Sequence, residues 1–151
     1  MKKVALALAL LSILAVNPVN ATEFSIVGHG LSRHVSRQDF NERPYGAALR
    51  LENKDFGFQV GDYYNSIRKN TFYAGLDWSP IHYNVSGCVN IDAGLYVGGA
   101  TGYKYTVTPM AGVQAAVKCE NIFVRVRAMP DPFYNSKAVG AVEIGLVLKK
   151  F

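Results

Sequence analysis

The sequence predicts an all-β chain, an eight-stranded antiparallel transmembrane β-barrel of the outer membrane. Past Ala21 no stretch keeps a helical periodicity and no apolar run is long enough for a spanning helix, whereas apolar residues alternate with small or polar ones at period two in segment after segment. The segments are joined alternately by tight turns and longer polar loops, which is the rhythm of a barrel with one short-turn end and one loop end.

The first segment, Glu23 to Arg33, has a mixed pattern. In the second, Tyr45, Ala47, Leu49 and Leu51 alternate with Gly46, Ala48, Arg50 and Glu52, and Asn53-Lys54-Asp55 supplies a turn. Phe56, Phe58 and Val60 alternate with Gly57, Gln59 and Gly61 in the third, which runs up to Asn65-Ser66. A polar loop from Ile67 to Asn70 leads to the fourth, where Phe72, Ala74, Leu76 and Trp78 alternate with Tyr73, Gly75 and Asp77. Ser79 to Gly87 reads as a longer connection. In the fifth, Val89, Ile91, Ala93, Leu95 and Val97 alternate with Asn90, Asp92, Gly94, Tyr96 and Gly98. The sixth follows Thr101-Gly102 and runs from Tyr105 to Lys118, interrupted by Pro109. Ile122, Val124 and Val126 alternate with Phe123, Arg125 and Arg127 in the seventh. A Pro-rich loop, Met129 to Ser136, then leads to the eighth, which ends at Phe151.

One alternating set is almost purely apolar, while the other carries Arg50, Gln59, Asp77, Asp92, Gln114, Arg125, Arg127 and Glu143. A soluble barrel would turn its apolar set inward, and this much charge is too little for a solvated outer face. The apolar set is therefore expected to face lipid and the charged set the lumen. Tyr and Phe near the strand ends, with Trp78, would form the interfacial girdles. The terminal Phe on an alternating strand resembles the C-terminal recognition signal of bacterial outer-membrane barrels, which implies the assembly machinery as a partner.

Lys2 and Lys3, the apolar stretch Val4 to Val16 and the small residue Ala21 describe a cleavable secretory signal over residues 1–21, leaving residues 22–151 as a single, monomeric barrel domain. The whole chain carries +5, two of those charges within the signal, and its basic residues do not cluster. That balance argues against a nucleic-acid partner and suits anionic lipids. Cys88 and Cys119 both lie in the exported part, where one structural disulfide is expected. Neither has a second Cys or His at metal-ligand spacing, and no Gly-rich phosphate loop is present, so no metal and no cofactor is expected.

Two motifs point to chemistry. "FNERPYG", Phe40 to Gly46, resembles a motif of the lipid A palmitoyltransferase family, eight-stranded outer-membrane barrels that move a palmitoyl chain from a phospholipid to lipid A. "YYNSIRKNTFYAGLDW", Tyr63 to Trp78, is similar without a gap to that family's Asp-Ser segment. "MPDPFYNSKAVG" is similar to the pattern before the last strand. The likeness runs from Gly28 to Phe151, and only the first two motifs are specific.

The resemblance implies acyl transfer, with a phospholipid donor and a lipid A type acceptor. The family histidine falls on His29, with His34, in the following loop, as competitor. The family serine falls on Ser66, and the family aspartate before it falls on Asn65, which supplies no charge. Another carboxylate such as Asp39 or Glu42 could take its place. Glu42 and Arg43 would organise the head-group side. Pro44, Pro109 and Pro130 match prolines that interrupt strand pairing and leave lateral openings for lipid, and Phe24 stands where a further proline would be.

Where family members carry a small residue that measures the acyl chain, the ungapped match places Asp77. A carboxylate there needs a partner, so Asp77 is expected to pair with Arg50, Arg125 or Arg127 in a polar plug. Tyr63, Tyr73, Tyr96, Met110, Gly61, Gly75 and Gly98 would line a cavity above it. The family's amphipathic helix before the first strand has no counterpart in the short interval from Thr22 to Phe24. Two other readings compete: a non-catalytic small outer-membrane barrel with a structural or surface-interaction role, and a soluble lipocalin-like carrier.

Overall fold

The structure is a computed structural model that describes residues 23–35, 40–130 and 138–151. The proposed signal, Asp39 and most of the Pro-rich loop lie outside the described residues. Eight strands, β1 (Glu23–His34), β2 (Gly46–Glu52), β3 (Phe56–Tyr64), β4 (Asn70–Ser86), β5 (Val89–Ala100), β6 (Thr108–Cys119), β7 (Ile122–Pro130) and β8 (Ala138–Lys150), close into a barrel. Every neighbour is antiparallel, β1 with β8 included. The turns after β2, β4 and β6 lie at one end with Glu23 and Phe151, and the connections after β1, β3, β5 and β7 at the other.

The wall is inside-out relative to a soluble protein. Leu49, Leu76, Leu95, Val113, Val126 and Leu146 point outward and are exposed, while Arg50, Gln59, Asp77, Arg125, Arg127 and Glu143 are buried in the lumen. This is the pattern of an outer-membrane-type barrel.

Several boundaries differ from the sequence reading, for identifiable reasons. Residues 79–86 continue β4 rather than forming a connection. The β4–β5 register shifts between Trp78 and Ile81, so a bulge at Ser79-Pro80 absorbs the proline and flips the phase of the alternation. The mixed pattern of β1 has the same origin, since its register with β8 shifts at Phe24/Ser25 and again at His29/Leu31. His34 consequently ends β1 instead of lying in the loop. β6 begins at Thr108, not Tyr105, because the ladder with β5 ends at Ala100↔Thr108 and the chain turns at Gly102, whose φ is +79°.

Cys88 and Cys119 form the expected disulfide, with Cα atoms 4.8 Å apart, joining the β4–β5 turn to the end of β6. Such a bridge stabilises by about 2–4 kcal/mol.

The middle of the lumen is a polar plug. Asp77 is bonded to Arg50 and accepts from Arg127 Nη2 at 3.2 Å. Glu143 accepts from Arg127 Nη1 at 2.9 Å and Glu52 from Arg50 Nε at 2.6 Å. Gln59 Oε1 accepts from Arg125 and Arg127 at 3.1 and 3.3 Å. The Arg127 guanidinium also lies over the Tyr96 ring, 4.2 Å from its centroid. The predicted pairing of Asp77 with an arginine is present. Gly57 leaves room for the Arg50 guanidinium, where a Cβ would collide with it.

Candidate active site at the loop end of the lumen

Above the plug the lumen opens into a cavity of about 120 Å³. His29, Ser66 and the three prolines singled out in the sequence, Pro44, Pro109 and Pro130, line it. Of the residues expected to form its walls, Tyr63, Tyr73, Tyr96 and Met110 do so. Gly75 does not, because the Tyr96 ring packs over its backbone where a Cβ would stand. Asp77 belongs to the plug beneath.

Backbone pairing explains why the cavity reaches the wall. The β6–β7 ladder starts at Val113↔Ala128, so Thr108 to Gly112 pair with β5 but have no ladder partner in β7. Pro109 and Pro130 stand on the two lips of that unpaired stretch, where each lacks an N–H to donate. A smaller break occurs between β1 and β2. Their ladder ends at His29↔Gly46 and contact resumes where Ser32 N donates to Glu42 O at 2.9 Å, with Pro44 in the interval. Phe24, by contrast, is paired on both sides at the turn end.

The Asn41-Glu42-Arg43-Pro44 segment is a strap across the rim. Asn41 N donates to Ser66 O at 2.8 Å, Asn41 Nδ2 to Asn65 O at 3.3 Å, and Arg43 N to Asn41 Oδ1 at 3.1 Å. Pro44 is buried, while the side chains of Glu42 and Arg43 are exposed at the rim. His34 also lines the cavity, stacked on Phe40 with ring centroids 4.1 Å apart.

Asn65 does not reach His29. Its amide donates to Thr71 Oγ1 at 2.8 Å and Gly102 O at 3.2 Å, while its Oδ1 accepts from Ile67 N and Lys69 N at 3.0 and 2.9 Å. That accounts for the whole side chain: it is the hub of the β3–β4 loop, and the expected supporting role at the imidazole is corrected. Glu42 is turned out at the rim, so it is not the substitute carboxylate either. The carboxylate beside His29 is Glu143 of β8, with Oε1 3.4 Å from Nδ1. On the other side of the ring, Nε2 lies 2.9 Å from the Tyr73 hydroxyl.

The sequence reading placed Glu143 and Tyr73 in the lumen but not at the imidazole. The signal that could have found Glu143 is register, since His29 pairs directly with it across β1–β8. Tyr103 was missed too. It comes from the β5–β6 loop and shares a 2.9 Å contact between hydroxyls with Tyr63. Chemically, the site offers an imidazole between a carboxylate and a hydroxyl, in a partly apolar cavity that meets the wall where strand pairing fails. That is the equipment for taking a proton from an attacking oxygen.

No protein-family model and no curated protein matches the chain. Among solved structures it is similar to the N-terminal β-barrel domain of Pseudomonas aeruginosa OprF, with a TM-score of 0.47 and 14% identity over 85% of this chain and 99% of that one. No residue role follows from that likeness. Among the described residues, no group of three or more His, Cys, Asp and Glu is placed to hold a metal ion.

Proposed function

We propose that this barrel is an outer-membrane acyltransferase of the lipid A palmitoyltransferase kind, taking an acyl chain from a phospholipid and passing it to a hydroxyl of a lipid A type acceptor. The observation that carries the reading is convergence. His29 and Ser66, which the resemblance pairs, line one cavity with Pro44, Pro109 and Pro130, and that cavity meets the wall at the unpaired β6–β7 stretch.

In the reaction, an attacking hydroxyl loses its proton to His29 Nε2 as its oxygen adds to the ester carbonyl. The tetrahedral intermediate then expels the lysophospholipid oxygen, which takes the proton from His29 as it leaves. Ser66, beside the strap that carries Glu42 and Arg43, stands on the head-group side of the same cavity, where its hydroxyl holds the reacting head groups in place for the exchange. Anchorage in the outer membrane and delivery by its assembly machinery belong to the same reading, supported by the outward apolar face.

The test is mass spectrometry of lipid A from a Gram-negative host lacking its own palmitoyltransferase, expressing this chain or its Ser66→Ala form at matched levels. An added acyl mass that disappears with Ser66→Ala is the expected result. A folded barrel that adds no mass supports the second reading, a non-catalytic outer-membrane barrel. One observation favours that alternative: the cavity, about 120 Å³, is small beside the roughly 300–1,000 Å³ of ordinary ligand pockets, because the arginine plug fills the lumen beneath it.

A further inference from the structure

We propose that Glu143 is the positioning carboxylate for His29, in place of the residue at 65, and that a hydrogen-bond chain from the arginine plug through Gln59 and Tyr73 fixes the imidazole with its proton on Nδ1 and Nε2 free to accept. The catalytic consequence rests on the acyl-transfer reading, but the tautomer does not.

Arginine guanidinium groups only donate, so the Gln59 atom facing Arg125, Arg127 and Arg50 at 3.1, 3.3 and 3.5 Å is its oxygen. Gln59 Nε2 therefore donates, to the Tyr73 hydroxyl at 2.5 Å and to Glu143 Oε1 at 3.2 Å. With its oxygen accepting from Gln59, Tyr73 has its single proton left for His29 Nε2 at 2.9 Å. Nε2 can then accept, and the ring proton belongs on Nδ1, because that nitrogen faces Glu143 Oε1 at 3.4 Å and a carboxylate can only accept. That contact is long for a hydrogen bond, and catalytic contacts of this kind often tighten only in the complex with substrate.

The consequence for catalysis is direct. Tyr73 occupies the place on Nε2 that an attacking hydroxyl must take, and it lines the cavity through which that hydroxyl arrives. When the incoming oxygen replaces Tyr73 as donor, it meets an unprotonated nitrogen. Its proton passes to Nε2, and the Glu143 carboxylate stabilises the imidazolium until the leaving oxygen takes the proton back. The carboxylate comes from β8, the strand beside His29, rather than from the β3–β4 loop that carries Ser66.

The experiment is 15N NMR on histidine-labelled barrel in lipid nanodiscs. The chain has three histidines, and His29 is assigned by the signal lost in His29→Asn. At neutral pH the wild type is expected to show His29 as the Nδ1–H tautomer with a hydrogen-bonded Nε2. In Glu143→Gln the Nδ1–H population is expected to fall at least several-fold, and in Tyr73→Phe the Nε2 resonance is expected to move to a free-acceptor position. A wild-type Nε2–H tautomer, or a tautomer unchanged in folded Glu143→Gln, overturns the proposal. Should Glu143→Gln fail to fold, the wild-type and Tyr73→Phe spectra decide it.

Transfer assays separate this inference from the functional reading. Glu143→Gln should lose roughly a hundred-fold or more in rate, with Glu143→Asp recovering part. The expected tautomer with an inactive wild type sinks the acyl-transfer reading alone. An active wild type with the other tautomer sinks the positioning role alone.

Discussion

Asn65 shows how a substitution can look like a loss and be a fit. Its amide hydrogens meet a threonine hydroxyl and the Gly102 carbonyl, while its oxygen holds two backbone N–H groups. A carboxylate at this position has no proton for Gly102, so Asn65→Asp would set two acceptors against each other in a buried loop. We expect that change to destabilise the barrel by about 1–3 kcal/mol without raising transferase activity. Equilibrium unfolding and the lipid A assay read the two effects separately, and a gain of activity would return the catalytic acid to position 65. That His29 and Ser66 lie at one end of the lumen was legible from the motifs that carry the resemblance. The carboxylate beside His29 was not, because Glu143 reaches the ring only through the closure of β8 onto β1.

At the scale of elements, the strands were legible wherever the alternation stayed in phase, and they were obscured where bulges shifted it. Ile81, Tyr83 and Val85 do alternate with His82, Asn84 and Ser86, but the bulge at Pro80 puts them out of step with Phe72 to Trp78. The resulting β4–β5 hairpin extends past Trp78, the last β4 residue paired with β3, and so projects beyond the β2–β3 turn.

At the turn end, beyond the last β3–β4 pair, that projection is tied back by His82. Its Nδ1 lies 2.8 Å from Asp92 on β5 and its Nε2 lies 3.0 Å from Asp55 in the β2–β3 turn. Lys118 of β6 faces the same Asp92, at 3.3 Å. Only the imidazolium can donate to both carboxylates at once, so the bonds to Asp92 and then Asp55 raise the His82 pKa above its ordinary value. A raised folded-state pKa means the stabilisation is fully present below the unfolded imidazole pKa and is lost as pH rises through the higher folded value. Amide exchange in residues 79–92 should therefore accelerate with pH across that window beyond the intrinsic rate. His82→Gln should abolish the extra dependence, and an unchanged profile in that variant would rule the latch out.

Over the whole molecule, the plug and the apolar face are two consequences of one pattern. With so few large apolar side chains in the lumen, the interior is held by ion pairs and shared hydrogen bonds, and the sequence reveals which residues take part. It does not reveal who meets whom. That depends on the stagger of all eight strands: Asp77 takes Arg50 and Arg127, while Arg125 goes to Gln59 and Glu143.

Asp77 is where this organisation is most exposed to test, since it is 2% accessible and links β2, β4 and β7 through its two arginines. Asp77→Ala leaves both guanidinium groups in the lumen without that carboxylate, which should cost about 3–5 kcal/mol in bilayer unfolding experiments. Asp77→Asn, which keeps an acceptor, should cost less. Because Asp77 and Arg127 bond each other directly, the double variant Asp77→Ala/Arg127→Met should be less destabilised than the two single changes added together. Strict additivity would mean that the two side chains act independently, and the Asp77–Arg127 contact would then play no part in tying β4 to β7.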